Sequence, residues 1–403
     1  MHQFGHILKQ HRQAAGLSLR QLGARIHVTY SHISKVERGV HPATSQFAKL
    51  CDDALQAGGA LIDAHHTGQA GNIDMQRRTM LRALGALAAA PMPLTRWEAL
   101  RHSIETAADP DADRWTQTVA DYGTVYYRMP HPKLMDSLYT DLTVLRALVE
   151  VEQGPGRARL LAAAGRLSVI VALGMVGAGE ILAAARWWRD AHTFATQSGD
   201  PDTVLLTRAW DVVDGCYDGR NPHHVVALAD EVAPLADNRP SAAACGLLAG
   251  RAQALSLAGR HAEAVAAVRL LADTAERLPA AVTADTDGLW GWPEHRLRHT
   301  EAWVYGHAGQ LKAAEQARDR ALTLYPPALA RLRAQVQLHH AGALIRGGHI
   351  PDGLRLAADT LDELPADRHN ELLRAVARQV TAAVPTAERA RPEALALSDR
   401  VRG

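Results

Sequence analysis

The stretch SLRQLGARIHVTYSHISKVERG, Ser18 to Gly39, reads as two short helices joined by a tight turn. Ser18 is an N-cap residue with Gln21 three positions later, the spacing of a capping box. Leu19, Leu22 and Ile26 recur at helical spacing, the turn falls at Ile26-His27-Val28, and Thr29 is placed to cap a second helix. That helix has an inward side of Ile33 and Val36, and Gly39 supplies a left-handed stop. Between these anchors lie Tyr30, Ser31, His32, Ser34, Lys35 and Arg38, nearly all able to donate or accept hydrogen bonds. A short amphipathic helix with that outer face suits the major groove of DNA.

Charge bears on the choice between this reading and a plain helical hairpin with a solvated polar face. Residues 1–50 carry Lys9, Arg12, Arg20, Arg25, Lys35, Arg38 and Lys49 against Glu37 alone, in a chain of 403 residues whose formal net charge is +1. Positive charge is therefore concentrated at this end, the electrostatic footprint that a phosphate backbone requires.

From about Gly5 to Ala64 the chain resembles the lambda-repressor/Cro-like helix-turn-helix family, also called the XRE family. Arg12, Gly16-Leu17-Ser18, the run Ile33-Ser34-Lys35-Val36-Glu37-Arg38-Gly39, Pro42 and Lys49-Leu50 all stand where the family pattern puts them. The resemblance implies a five-helix DNA-binding domain over residues 1–66, with the recognition helix beginning at Thr29 and Arg12 paired with Glu37. It also implies that Arg20, Gln21, Thr29, Tyr30, Ser31, His32, Ser34, Lys35 and Arg38 meet DNA: Tyr30, Ser31 and Ser34 at base edges, and Arg20, Gln21, Lys35 and Arg38 nearer phosphates. Two positions depart from the pattern. Leu19 stands where a phosphate-binding Gln is common, and Ala43 stands where a cap is usual, which shifts that cap to Thr44.

Working outward, a Gly/His/Thr-rich join predicts a linker over 67–74, and the rest, 75–403, is Ala- and Leu-rich with helical periodicity throughout. The whole chain reads as all-α. Gly177, Gly219, Gly259, Gly309 and Gly348 each separate two helical stretches, at a period of about 40 that widens once to about 50. Such a period predicts stacked helix pairs in an α-solenoid, and the units Ser241–Leu278, Glu294–Tyr325 and Leu329–Leu364 resemble tetratricopeptide repeats. Earlier helices near 112–128, 132–150, 156–175, 179–197 and 201–217 are expected to join the same stack.

The one wide interval reflects extra residues, PAAVTADTDGLWGWP, from Pro279 to Pro293. Long loops inside compact arrays are usually functional or disordered, and Trp290 and Trp292 argue against disorder. The two rings either close over a ligand or pack between neighbouring helices. In the helix that follows, Arg298, Glu301 and Tyr305 share one face, and with the two tryptophans they form a candidate ligand site. Trp187, Trp188 and Trp210, with Arg186, Arg189 and Arg208, are further groove candidates set against a core-and-solvated-face reading.

Much chemistry is missing from the sequence. The His65-His66, His223-His224 and His339-His340 pairs have neighbours that diverge by about 100° on a helix, so no metal is expected. No phosphate loop, nucleophile elbow or paired-cysteine motif is present, and neither an enzyme nor a cofactor is expected. Cys51, Cys216 and Cys245 are odd in number and far apart, which suits a reducing cytoplasm and packing as small apolar residues. No apolar run reads as spanning a membrane, and Arg77-Arg78 lies too far from the N-terminus for an export signal. The two halves together resemble regulators that join a Cro-like module to a repeat sensor: an actinobacterial type, and more distantly the Rgg/PlcR-type peptide sensors. That architecture implies double-stranded DNA and a small-molecule or peptide effector as partners. It also implies a homodimer held through the repeats, since one module buries too little surface for high specificity. An alternative is a repeat scaffold for protein partners, tethered to DNA by its first domain.

Overall fold

The computed structural model describes residues 2–41, 43–65, 113–237 and 239–402, and every regular element among them is helical. The chain divides into two compact units whose boundary, like the expected linker and the Arg77-Arg78 stretch, lies outside the described residues.

The N-terminal unit holds α1 (His2–Ala14), α2 (Leu19–Ile26), α3 (Tyr30–Glu37) and α4 (Ser45–Leu55), followed by helical residues 60–65. Each start follows from a cap. Ser18 and Gln21 form the capping box of α2, Thr29 accepts from the His32 amide, and Thr44 accepts from the Phe47 amide, so the cap has shifted as Ala43 implied. Asp52 accepts from the Gly59 and Leu61 amides at 2.8 and 2.9 Å, which seats the last helical segment. Phe4, Leu8, Leu22, Ile26, Ile33, Val36, Phe47 and Cys51 close one core. Two glycines allow the backbones to meet: a Cβ on Gly5 would lie 2.4 Å from the Val36 carbonyl oxygen, and one on Gly23 would lie 2.5 Å from that of Val28.

The second unit is a stack of helix pairs. Its helices are α5 (Asp113–Val125), α6 (His131–Val151), α7 (Gly154–Gly177), α8 (Ile181–Ser198), α9 (Pro201–Asp214) and α10 (Pro222–Ala236). They continue with α11 (Ala242–Leu257), α12 (His261–Ala275), the short α13 (Ala280–Ala284), α14 (Glu294–His307) and α15 (Leu311–Leu324). The stack ends with α16 (Ala330–Arg346), α17 (Ile350–Glu363), α18 (Glu371–Ala383) and α19 (Pro392–Arg402). The first helix of each pair packs on the first helix of the next, α5 on α7, then α9, α11, α14, α16 and α18, which makes an inner layer. The curvature brings α18 back into contact with α7. Gln379 Nε2 of α18 also donates to the Cys216 carbonyl, just past the end of α9, at 3.2 Å.

Two expectations are corrected. The turn glycine of the α7–α8 pair is Gly179, with φ +83°, while Gly177 ends α7 close to Asn370 and Leu372. Gly179, Gly219, Gly259, Gly309 and Gly348 all take positive φ, which is why glycine marks the period. Second, α7 is 24 residues long and apolar enough to cross a membrane by composition. Its apolar length is explained by burial between α6, α8, α9 and α18, for Leu160, Leu167, Val169, Ile170 and Ala172 are all enclosed. The three cysteines are free and buried, and burial pushes the Cys51 and Cys245 thiols up to about 12.

Candidate functional site

In the N-terminal unit the geometry of α3 follows from its two buried residues. Ile33 and Val36 point into the core, so at about 100° per residue the opposite side carries Ser31, Ser34 and Arg38, flanked by Tyr30 and Lys35. Tyr30, Ser31, Lys35 and Arg38 are exposed and Ser34 is half-buried. Arg20, at the start of α2, lays its guanidinium over the Tyr30 ring, 5.3 Å from its centroid, and so joins the two helices at the outer face. Arg12 and Glu37 form a two-pronged ion pair at 2.6 and 2.9 Å, and Arg12 also donates to the Leu17 carbonyl at 2.8 Å. This pair ties α1 to the end of α3 and neutralises the segment's single acid, leaving the exposed cations uncompensated.

Four of the expected DNA contacts have other duties. His32 is half-buried and packs edge-on against Phe47, with ring centroids 5.3 Å apart, because it sits on the core-facing border of α3. Gln21 spends its side-chain oxygen on the Ser18 amide at 2.8 Å, and the Thr29 hydroxyl caps α3. Arg38 Nε donates to the Ser34 carbonyl at 3.2 Å, alongside its own backbone amide, at the end of the helix.

In the repeat unit the extra loop turns inward. Leu289 N donates to the Gly123 carbonyl, Trp290 Nε1 donates to the Val119 carbonyl at 2.9 Å, and Arg128 pairs with Asp287, so the loop is clasped to α5 and the turn after it. Gly123 is the seat of the Trp290 indole: a Cβ there would lie 2.1 Å from the ring. Arg296 holds the loop from below, donating to the Gly288 and Leu289 carbonyls while its guanidinium lies 5.8 Å from both the Trp210 and the Trp292 rings.

Behind this clasp is a cavity of about 150 Å³. Its walls include Trp290 and Trp292 from the loop, Tyr126 and Tyr127, Trp210 of α9, Gln253 of α11, Arg296, His299 and Thr300 of α14, Tyr325, and Arg331 and Gln335 of α16. The candidate ligand set is therefore divided. Trp290 and Trp292 line the cavity, but Arg298, Glu301 and Tyr305 do not. On a helix of about 100° per residue, the centre of those three lies nearly opposite that of Arg296, His299, Thr300 and Trp303. Arg298 instead pairs with Glu294 and Glu301 at 3.1 and 2.9 Å. Of the further groove candidates, Trp210 reaches the cavity, whereas Trp188 is buried elsewhere and donates to Asp214 at 3.2 Å.

Burial sets the protonation of this region. His299 donates or accepts through Nδ1 with the Tyr325 hydroxyl at 2.9 Å, and burial with the Arg296 charge pushes its pKa down to about 4. Burial also raises the Tyr126, Tyr217 and Tyr325 hydroxyls, so all remain neutral at ordinary pH. In the sequence the helix after the loop offers Arg296 and His299 beside Arg298, Glu301 and Tyr305 as groove candidates, and the spacing argument favoured the wrong face; Arg331 was missed. For Arg331 no local pattern existed. Among the described residues no group of side chains is arranged to hold a metal ion.

Residues 3–64 match the family model described as a helix-turn-helix domain, so this segment is a helix-turn-helix domain. No curated protein matches the chain. Among solved structures, the chain matches the crystal structure of Bacillus thuringiensis PlcR in complex with the peptide PapR7 and DNA, at 11% identity. That match covers 90% of this chain and 95% of the other, with a TM-score of 0.24, too loose a superposition to relate the two folds.

Proposed function

We propose that this chain is a sequence-specific DNA-binding transcriptional regulator, acting in the cytoplasm, whose repeat unit senses a small molecule or peptide and modulates operator binding. The observation that carries the reading is the outer side of α3: hydrogen-bonding and cationic side chains on one stripe, opposite Ile33 and Val36, in a unit matched to the helix-turn-helix family. The acid of α3, Glu37, is cancelled by Arg12 and the cations of α3 face outward, as counterion release from DNA requires. In this reading residues 1–66 are the DNA-reading domain, 67–74 a linker and 75–403 the sensor. The working form is a homodimer with recognition helices about 34 Å apart, one turn of DNA.

Within α3, Tyr30, Ser31 and Ser34 meet base edges, while Arg20, Lys35 and Arg38 meet phosphates. The test is a binding-site selection with the wild type and a Ser31→Ala/Ser34→Ala variant. Loss of a good base contact is expected to shift preference at that position by about 1–3 kcal/mol. Lys35→Ala is expected to weaken binding to all sequences alike and to lower the salt slope by about 1. An unchanged selected sequence for the double variant removes the assignment of α3 as the reader.

A further inference from the structure

The cavity behind the loop has features that together specify a chemical class of occupant. Its volume, about 150 Å³, is of the size that takes up a single benzene ring in a protein core. Much of its wall is aromatic, which favours a flat ligand stacked between rings. Its charge is one-sided: the lining carries the Arg296 and Arg331 guanidinium groups and no carboxylate. Arg296 is committed to two loop carbonyls. Arg331, half-buried, has no hydrogen-bond or ion-pair partner among the described residues. A guanidinium without an anion beside an aromatic cavity is a ready anion site, and a planar carboxylate matches its fork geometry.

Polar capacity is also left open on the walls. Trp292 Nε1 and His299 Nε2 are buried without hydrogen-bond partners, on side chains only 7% and 8% exposed. A buried donor or acceptor left unmade costs more than a bond is worth, and both side chains belong to the cavity wall. An extended peptide does not suit the space. The centre of the stack is crossed by the loop clasped at Val119 and Gly123, and what remains is too small for several residues.

We infer that the cavity binds a small planar aromatic carboxylate, its ring stacked beside Trp290 and Trp292 and its carboxylate held by Arg331. This rests on the sensor reading of the repeat unit and narrows it from any small molecule or peptide to one class of anion. The carboxylate lies against the guanidinium of Arg331.

The experiment titrates the full chain with benzoate, 2-hydroxybenzoate and 1-naphthoate, with benzamide as the uncharged counterpart of the first. Calorimetry and tryptophan fluorescence follow binding. At least one acid is expected to saturate a single site, and benzoate is expected to bind about tenfold or more tightly than its amide, as a charge-assisted contact requires. Arg331→Met should abolish that preference, and Arg331→Lys should restore part of it. Circular dichroism and melting establish that both variants are folded; the acid-to-amide ratio in the wild type decides independently of them. No saturable binding by any acid, equal binding of acid and amide, or full acid affinity in Arg331→Met overturns the proposal. Operator affinity measured in parallel separates the two readings. An acid that binds without changing DNA affinity upholds the cavity's occupant and removes the sensor role, whereas a chain that binds the acid but no DNA removes the regulator.

Discussion

Helix α3 is buried along one narrow side, whereas α14 is buried around nearly all of its circumference. In α3 only Ile33 and Val36 are enclosed, and they fix where the exposed stripe must lie. In α14 the enclosed residues are His295, Leu297, His299, Thr300, Glu301, Ala302, Trp303, Val304 and Gly306. Spacing still says that Arg298, Glu301 and Tyr305 share a face, but it cannot say which way that face looks. A helical period identifies partners on a helix. Only one-sided burial converts the period into a direction.

Substitutions that probe the two helices should therefore differ in kind as well as size. The largest effect is expected from Trp303→Ala in α14: the ring is fully enclosed and touches Tyr217 and His339, so about 3–5 kcal/mol of stability is at stake. Denaturant melts of the repeat unit measure it, and a loss below about 1 kcal/mol contradicts the packing described. Next is Glu37→Ala, at the end of α3. It strands the buried Arg12 guanidinium, with an expected cost of about 3 kcal/mol to the N-terminal unit. Little change there means the ion pair is not a strut.

Acid should act mainly on α14 and its neighbours. Burial pushes His299 and His307 down to about 4 and about 3, while in the unfolded chain they protonate near 6.5. The unfolded state then holds more protons below that pH. Stability is full above about 6.5, declines as pH falls, and levels off only near the folded values. Melting temperatures between pH 7 and 4 check the slope, and a His299→Gln/His307→Gln variant that keeps the full slope rules these groups out. The smallest effect is expected for Arg298→Ala, which leaves the enclosed Glu301 without its partner while Glu294 keeps Arg320. A loss of about 1–2 kcal/mol is expected, with acid binding in the cavity unchanged.

What could be read in advance followed local rules. Ser18 with Gln21, Thr29 and the shift from Ala43 to Thr44 are caps, legible over a few residues. The repeat period was legible because each turn needs one residue of positive φ, although Gly177 and Gly179 are too close for composition to separate. The second duty of His32 was hidden because Phe47 lies on another helix. The clasp of Trp290 on Gly123 was hidden for the same reason on a larger scale. A ring and its seat on distant helix pairs leave no periodic trace, and a glycine inside α5 looks only like a weak helix former.

The return of α18 to α7, with Gln379 reaching the Cys216 carbonyl, has a kinetic consequence. An open solenoid can nucleate anywhere and grow one neighbour at a time, with separable transitions along its length. Here bonds join residues 163 and 171 positions apart, so a loop-closure entropy must be met before those contacts form. That raises the contact order, slows folding, and couples the first pairs to the last. On the ribosome the early helices of this unit must wait, with α7 partly uncovered, until the final pairs emerge to enclose it.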